Sequence, residues 1–368
     1  MTFAWLDSNM PFNTAVATST LMYCEDASVA DVAVAPNCYG AIPLPLADAT
    51  LGDLTNYPCP NLTLSRDTIV LPRHILVDMP SKGIHPYTFM RNRRNHHGGI
   101  RYHDDGTYKI KYDATSLPKK IIEGPCYHAD TDHPSVYGHV LLEVVSALWA
   151  TKHIPGNDLR LLTSIKLNEG YLAFFNALDL PTQRIEHIAG PIITKELWLP
   201  SKLIQRRRYI DPKVRALYSE IAERLSENSK ISAPEKVYIS RSKVSGRKLI
   251  NEVEVEALFR DLGFAIIHPQ ELSIFDQVKI FSHAKCIAGT GGSAMHNTLF
   301  SKVDSQVLII CSTGWRVVAD TLICTRQGQL GYVFGKPHTS NAGSHRTQSD
   351  WSVDLREVAA GARLHFDI

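Results

Sequence analysis

Two stretches of the chain contain residues whose types and spacing suit chemistry on a phosphorylated ligand. The first stretch, from Val237 to Phe300, contains a cluster of cationic residues near its start, Arg241, Lys243 and Arg247, and a glycine-rich turn near its end, Gly289-Thr-Gly-Gly-Ser293. Guanidinium groups form paired hydrogen bonds with phosphate oxygens, and a lysine adds a mobile positive charge. Glycines let backbone N–H groups approach an anion, which the N-terminus of a following helix also attracts. This combination predicts a phosphate-binding site.

The glycine turn alone is a weak signal. It lacks the Lys-Ser/Thr of a nucleotide-binding P-loop and the spacing of a dinucleotide-binding motif. Gly291-Gly-Ser-Ala-Met295 also lacks the closing glycine of a serine hydrolase nucleophile turn. The arginines have a simpler interpretation as surface charges, with Arg247 paired to Glu252. The position of Arg241 at the end of a predicted strand, facing the glycine turn, favours phosphate binding.

The second stretch contains the strongest candidate for acid-base chemistry. His139 and Glu143 are four residues apart at the start of a predicted helix, Val140 to Lys152, so they share one helix face. A carboxylate one turn away can orient and polarise an imidazole, whose unperturbed pKa of about 6.5 suits proton abstraction at neutral pH. The alternative is an ordinary i,i+4 pair at a helix start capped by Ser135.

Two groups of residues are candidates for metal binding. Asp130-Thr-Asp132 has the D-x-D form that holds a divalent metal in some enzymes, but it lies in a proline-bounded loop and does not follow a nucleotide-binding strand. A turn is the simpler interpretation of this loop. His96, His97 and His103 could also bind a metal, although histidines near a hairpin are more often solvated. We therefore predict no metal site.

The length and composition indicate an ordinary globular protein. The sequence has 368 residues, of which 44% are hydrophobic and 21% charged, and a net charge of +2. This length favours two domains, and the weak net charge argues against nucleic acid as a partner. The seven cysteines are scattered and never in C-x-x-C spacing, which favours reduced thiols. Without a signal peptide or an apolar run of about 20 residues, we expect a soluble, cytoplasmic protein with peripheral membrane contact at most.

The pattern of apolar residues predicts an α/β fold with two domains. Strands alternate with helices between Leu159 and Pro200, after a predicted hairpin around Asp104-Asp-Gly106. A break in this pattern, from Pro200 to Pro212, places the boundary between domains of residues 1–200 and 201–368. A final helix is predicted over Asp350 to Val358, and it could cross back to the first domain.

The second domain is predicted to be doubly wound. Its strands and helices alternate from Val237 to Ile310, which is the pattern of a parallel sheet covered on both faces. In such folds ligands bind beyond the carboxyl ends of the strands. Three pairs of residues would converge there: Ser240-Arg241, His268-Pro269 and Gly289-Thr290. The predicted phosphate site therefore lies at this edge of the sheet.

An ordered set of residues across both domains resembles the signature of glycosyltransferase family 61. In the second domain it comprises Ile239-Ser-Arg241, Arg247, Asn251-Glu252, Leu262-Gly-Phe264, Pro269-Gln-Glu271-Leu-Ser273, Gln277, Gly289-x-x-Gly-Ser293 and Asn297. Upstream, Tyr137-Gly-His139 with Glu143 resembles that family's H-x-x-x-[DE] helix start. The order of these motifs is more specific than any single motif. One position departs from the family, because Gly291 stands where its glycine turn usually has a histidine.

This resemblance implies a GT-B architecture, in which two Rossmann-like domains face a cleft. It also implies inverting, metal-independent transfer of a sugar from a nucleotide donor to a hydroxyl of a glycan or lipid-linked saccharide, with no cofactor. The donor, which we expect to be a UDP-sugar, would bind the second domain, and the acceptor would bind the first. Such a transferase would serve polysaccharide biosynthesis.

The resemblance also assigns roles to residues. His139, oriented by Glu143, would deprotonate the acceptor hydroxyl, with Glu143 itself or Asp132 as the alternative base. The donor-binding residues would be Arg241, Lys243, Arg247, Glu271, Ser273, Gln277, Gly289, Thr290, Gly291, Gly292, Ser293 and Asn297, with Ser273 and Gln277 near the nucleobase or ribose. Two other classes stay open, namely a metal-dependent glycosyltransferase that uses Asp130 and Asp132, and a non-catalytic module that binds a nucleotide or glycan.

Overall fold

In the computed structural model, the chain divides into two units. Unit 1 comprises Met1–Val29 and Pro58–Gln205, and unit 2 comprises Ala30–Tyr57 and Arg206–Ile368. The structure describes residues 11–13, 19–24, 37–39, 59–89, 97–205, 209–315, 323, 330–338 and 349–368. Residues 30–57 belong to unit 2, which differs from the predicted first domain of residues 1–200, because a strand at residues 37–39 pairs with the sheet of unit 2.

The β-strands of the described residues are, in chain order, β1 Ser19–Cys24, β2 Asn37–Tyr39, β3 Asn61–Leu71, β4 Ile75–Asp78, β5 Gly83–Ile84, β6 Ile100–Tyr102, β7 Tyr108–Ile110, β8 Lys120–His128, β9 Arg160–Thr163, β10 Ile185–His187, β11 Ile192–Pro200, β12 Ile204–Gln205, β13 Tyr209–Ile210, β14 Lys236–Ile239, β15 Ala265–Ile267, β16 Cys286–Thr290, β17 Gln306–Ser312, β18 Leu330–Pro337 and β19 Trp351–Ser352.

The α-helices of the described residues are α1 Tyr137–His139, α2 Glu169–Asn176, α3 Lys213–Ser226, α4 Glu252–Asp261, α5 Ile274–His283 and α6 Leu355–Phe366. Helix α1 continues directly into a π-helical turn, Val140–Val144, and a 3₁₀ segment, Val145–His153. Further 3₁₀ helices are Pro86–Phe89, Thr182–Arg184, Pro269–Glu271 and Ser293–Phe300. No helix in these parts of the chain is long and apolar enough to cross a membrane.

Unit 1 contains a mixed eight-stranded sheet. Its order is β10-β9-β8-β11-β3-β4-β5, and β1 also pairs with β3. Strands β10, β9, β8 and β11 are parallel neighbours, whereas β11, β3, β4 and β5 are antiparallel neighbours. Only the parallel half therefore has the layout expected of a Rossmann-like domain. The predicted hairpin is confirmed as β6 and β7, an antiparallel pair.

Unit 2 contains a sheet with the order β15-β14-β16-β17-β18-β19, and β2 pairs with β18. Strands β14 to β18 and β2 are parallel to their neighbours, and only β19 is antiparallel. Counted in chain order, the five strands from β14 to β18 lie in the order 2-1-3-4-5, which is one of the two common doubly wound orders. The predicted doubly wound layout is confirmed, with its topological switch point between β14 and β16.

Aromatic side chains pack helices α4 and α6 on the sheet of unit 2. The ring of Phe259 stacks on Tyr238 at a centroid distance of 4.7 Å, and Phe264 contacts Phe366 at 5.2 Å. All four rings are buried. The final helix begins at Leu355, later than predicted, since the residues before it form β19. It packs on the hydrophobic core of unit 2.

Candidate active site

A buried carboxylate joins the carboxyl ends of β14 and β16. Glu252, the first residue of α4, accepts hydrogen bonds at Oε1 from the backbone N–H of Arg241 at 2.7 Å and from the Thr290 hydroxyl at 2.8 Å. The Tyr238 hydroxyl donates to the same oxygen at 3.3 Å. Burial raises the pKa of Glu252, and these hydrogen bonds oppose the shift. Glu252 thereby positions the backbone at the topological switch point, where doubly wound folds bind ligands.

The side chain of Arg241 lies over the glycine turn. A Cβ atom added to Gly292 would clash with Nη1 of Arg241, so glycine leaves the space that the guanidinium occupies. Gly289 is also restricted, because its Cβ would lie 2.6 Å from Sδ of Met295 and 2.8 Å from Cβ of Ile239. Burial lowers the pKa of Arg241, while the nearby Glu252 carboxylate raises it.

Arg247 is a second half-buried arginine near Arg241. Its guanidinium carbon lies 3.8 Å from the centroid of the Trp315 ring, in a cation–π contact. Its φ of 49° is left-handed, which is unusual for a residue other than glycine. Burial lowers the pKa of Arg247, and the positive charge of Arg241 lowers it further. Within the described residues Arg247 forms no ion pair with Glu252. The guanidinium groups of Arg241 and Arg247 therefore form a pair of positive charges that suits an anion. We call this pair and the glycine turn the arginine site.

Lys243 and Glu271 lie beside each other on the surface of unit 2. The lysine Nζ lies 2.7 Å from Oε1 of Glu271, and each side chain is 52% exposed. The hydrogen bond from Lys243 lowers the pKa of Glu271. Because exposed ion pairs contribute little stability, this contact leaves either side chain able to turn toward a ligand.

The remaining predicted donor-binding residues take part in hydrogen bonds that build the loops. Ser273 caps α5 by accepting from the Asp276 N–H at 3.1 Å. Gln277 donates to the main-chain oxygen of Pro269 at 2.8 Å and accepts from the buried Asn297 amide at 3.2 Å. The Gly291 N–H donates to Ile310. Ser293 begins the helix that was expected after the turn, and this helix is of the 3₁₀ type. Their roles toward a donor stay predictions.

In unit 1, the predicted acid-base pair is brought together. Nδ1 of His139 lies 3.4 Å from Oε1 of Glu143, and their side chains are 15% and 2% exposed. The Thr131 hydroxyl donates to the other oxygen of Glu143 at 2.6 Å. Glu143 belongs to the π-helical turn, a distortion that often marks functional sites. The Glu143 carboxylate, held by Thr131, therefore lies beside Nδ1 of the imidazole.

Two residues that support this pair were missed by the sequence interpretation. The buried ammonium group of Lys202 donates to the main-chain oxygens of Glu143 at 3.2 Å and Asp130 at 3.3 Å. Arg73 donates from Nε to the main-chain oxygen of Asp132 at 3.1 Å. Both contacts join positions that are far apart in the chain, and no local sequence pattern indicates them.

The two aspartates of the D-x-D motif differ in their surroundings. The buried Asp130 carboxylate accepts from the His74 N–H at 2.8 Å and from the N–H and hydroxyl of Ser164 at 2.9 and 2.7 Å. Burial raises the pKa of Asp130, and these bonds oppose the shift. The Asp132 carboxylate accepts from the Gly98 N–H at 3.0 Å. Asp130 therefore has a structural role, and the pair does not resemble two equivalent metal ligands.

One group of possible metal ligands is found within the described residues. Asp132, His133 and His139 each offer a ligand atom, and these atoms lie within 4.8 Å of one another. The group does not include Asp130, His97 or His103, and His96 lies outside the described residues. We call Asp132, His133, His139 and Glu143 the histidine site.

A doubly wound unit with paired arginines at its switch point is typical of enzymes that bind phosphorylated substrates. Residues 137–308 match the sequence model of the family described as Glycosyltransferase 61. This match confirms the resemblance of the motifs to glycosyltransferase family 61 and supports a glycosyltransferase enzyme. The matched residues include His139 and Glu143 of unit 1 as well as the arginine site. No curated protein matches the chain.

The position of Glu252 predicts a large effect on stability. We expect Glu252→Ala to lower the free energy of unfolding by about 2–4 kcal/mol, because the Arg241 N–H and two buried hydroxyls lose their acceptor. Glu254→Ala is the matched control, since Glu254 is an exposed acid in the same helical turn and should change stability by less than about 0.5 kcal/mol. Urea denaturation measures both variants, and equal effects would contradict the role of Glu252.

Proposed function

We propose that this family 61 enzyme is an inverting, metal-independent glycosyltransferase that moves a sugar from a nucleotide-sugar donor to a hydroxyl of a glycan acceptor. The observation that carries the proposal is the arginine site, where two half-buried guanidinium groups lie at the switch point of a doubly wound sheet. A UDP-sugar is the donor that we test first. The acceptor is a polysaccharide or a lipid-linked saccharide, and the reaction takes place in the cytoplasm.

The GT-B architecture is part of this proposal. The division of the chain into two units supports it, as does the doubly wound sheet of unit 2. In this scheme unit 2 binds the donor through the arginine site, and unit 1 binds the acceptor near the histidine site.

The arginine site would stabilise the leaving group. As the bond between the anomeric carbon and the diphosphate oxygen breaks, negative charge develops on the diphosphate. Fixed positive charges in a partly buried site interact with such charge more strongly than they would in water. Binding the diphosphate also relieves the repulsion between Arg241 and Arg247. The two arginines would thus supply the charge that a divalent metal supplies in metal-dependent transferases.

The histidine site would supply the base. Since Nδ1 of His139 faces Glu143, Nε2 is the nitrogen that accepts the proton of the acceptor hydroxyl. The hydroxyl oxygen then attacks the anomeric carbon from the face opposite the diphosphate, which inverts the configuration. The Glu143 carboxylate stabilises the imidazolium that forms, as a carboxylate does beside a catalytic histidine.

Donor binding tests the arginine site. We expect a UDP-sugar to raise the melting temperature more than GDP- or CMP-sugars do, because a ligand that binds only the folded state stabilises it. Arg241→Ala should weaken donor affinity by about 10- to 100-fold, since it removes a charge-assisted hydrogen bond worth about 1.5–3 kcal/mol. Arg260→Ala, an exposed arginine of α4, is the matched control. Unchanged affinity in Arg241→Ala would contradict the phosphate role.

A substitution in the glycine turn tests the geometry of the same site without removing a charge. Gly292→Ala should weaken donor binding because its methyl group displaces the Arg241 guanidinium. Stability should change little, since the displaced atoms are the end of a flexible side chain. Gly124→Ala is the control, because no atom lies within 4 Å of its Cβ position. Isothermal titration measures the affinity of both variants for the donor. Equal affinities of Gly292→Ala and Gly124→Ala would show that donor binding does not require the Arg241 guanidinium to lie over the glycine turn.

Removing the base should slow transfer without weakening donor binding. We expect His139→Ala to lower kcat by about 100- to 10,000-fold, which is the usual contribution of a general base. The release of nucleoside diphosphate in the presence of acceptor measures the rate, and circular dichroism checks the fold. If His139→Ala keeps near-normal turnover, the base is another group, and Glu143→Gln and Asp132→Asn identify which. Donor that binds but is never consumed would contradict catalysis itself.

A further inference from the structure

Three side chains of the histidine site form a group with the composition of a transition-metal site. The Asp132 carboxylate lies 3.8 Å from Nε2 of His133, and the rings of His133 and His139 meet edge to face at a centroid distance of 4.6 Å. Two imidazoles with one carboxylate are ligands that Zn²⁺ prefers, whereas Mg²⁺ and Ca²⁺ prefer oxygen ligands alone. The ligand atoms lie within 4.8 Å of one another, so small side-chain shifts bring them around one ion.

The groups behind these three side chains also fit a metal. Histidine ligands usually direct their second nitrogen at a carboxylate or carbonyl, which fixes the ring and raises its basicity. His139 has this arrangement, because Nδ1 faces Glu143 and the Thr131 hydroxyl holds Glu143 in turn. The Asp132 carboxylate is oriented by the Gly98 N–H. Arg73 donates from Nε to the main-chain oxygen of Asp132, not to its carboxylate.

The group is also accessible and has room for further ligands. The His133 side chain is 41% exposed, so an ion can enter from solvent on that side. Three protein ligands leave at least one position for water, as in zinc sites that are not purely structural. Of the two aspartates in the D-x-D motif, only Asp132 belongs to this group of possible metal ligands. The residue that follows it, His133, belongs to the group as well.

We propose that Asp132, His133 and His139 bind Zn²⁺, and that the bound ion inhibits sugar transfer. The inhibition rests on the proposed role of His139 as the base. Coordination uses the Nε2 lone pair of His139, which is the electron pair that must accept the proton of the acceptor hydroxyl. A metal-bound imidazole therefore cannot deprotonate the acceptor, and removal of the ion restores the base.

Binding of Zn²⁺ alone tests the site independently of activity. Protein freed of metal by a chelator should bind one equivalent of Zn²⁺ in isothermal titration, and Co²⁺ used as a probe should give the visible absorption of a coordinated ion. His133→Ala should weaken Zn²⁺ binding at least about tenfold, since it removes a direct ligand. His187→Ala is the matched control, because His187 is an exposed histidine of the same unit outside the site. Equal Zn²⁺ affinity in wild type and His133→Ala would overturn the proposal.

Turnover with the donor from the thermal-shift experiment tests the inhibition. Zn²⁺ should slow wild-type transfer and EDTA should restore it, whereas His133→Ala should need at least about tenfold more Zn²⁺ to lose the same fraction of its own metal-free turnover. Faster transfer with Zn²⁺, or loss of transfer in EDTA, would overturn inhibition and support metal-dependent catalysis. If Zn²⁺ binds the site but His139→Ala retains turnover, the base assignment fails and the metal site stands. If His139→Ala is inactive but no Zn²⁺ binds, the metal site fails and the base assignment stands.

Discussion

The arginine site depends on one buried carboxylate whose cost of burial is offset by three donors. A carboxylate removed from water is unfavourable unless hydrogen bonds replace its hydration. Oε1 of Glu252 receives one backbone N–H and two hydroxyls, and these donors come from the ends of β14 and β16. The acid thus fixes the two strand ends relative to each other. Because it binds the backbone of Arg241, the guanidinium group of that residue stays directed at the glycine turn and is left for a ligand.

Unit 1 also contains a buried carboxylate, that of Asp130, which accepts hydrogen bonds from separate parts of the chain. The Asp130 carboxylate accepts from backbone at the tip of the β3–β4 hairpin and from the residue after β9. That tip contains Arg73 and His74, both with left-handed φ values of 67° and 63°. Residues other than glycine adopt this conformation at an energetic cost, so the contacts with Asp130 and Ser164 must hold it. Once Asp130 is engaged in this way, the residues that follow it are placed beside His139.

The features that the sequence predicts are those that depend on local spacing. The i,i+4 relation of His139 and Glu143 needs only a helix, and the alternation of strands and helices in unit 2 requires ligand-binding residues at the strand ends. Contacts that depend on strand register cannot be predicted from local spacing. Lys202 reaches Glu143 across the fold, and β2 pairs with β18 although the residues around it show no periodicity. His133 was missed for the same reason. Its position beside His139 depends on the loop that is held in place by the hydrogen bonds of Asp130.

The same physical properties make an imidazole a good base and a good metal ligand, and its neighbours decide between the two roles. Both roles need a lone pair on Nε2 and a carboxylate at Nδ1, and His139 has this arrangement with Glu143. A second imidazole and a carboxylate nearby add affinity for a metal without improving the base. In the mechanism that we propose, the arginines of unit 2, which remain charged at any physiological pH, would supply the positive charge for the diphosphate. A metal would then not be needed to stabilise the leaving group, and an ion at the histidine site would compete with the acceptor's proton for a single electron pair.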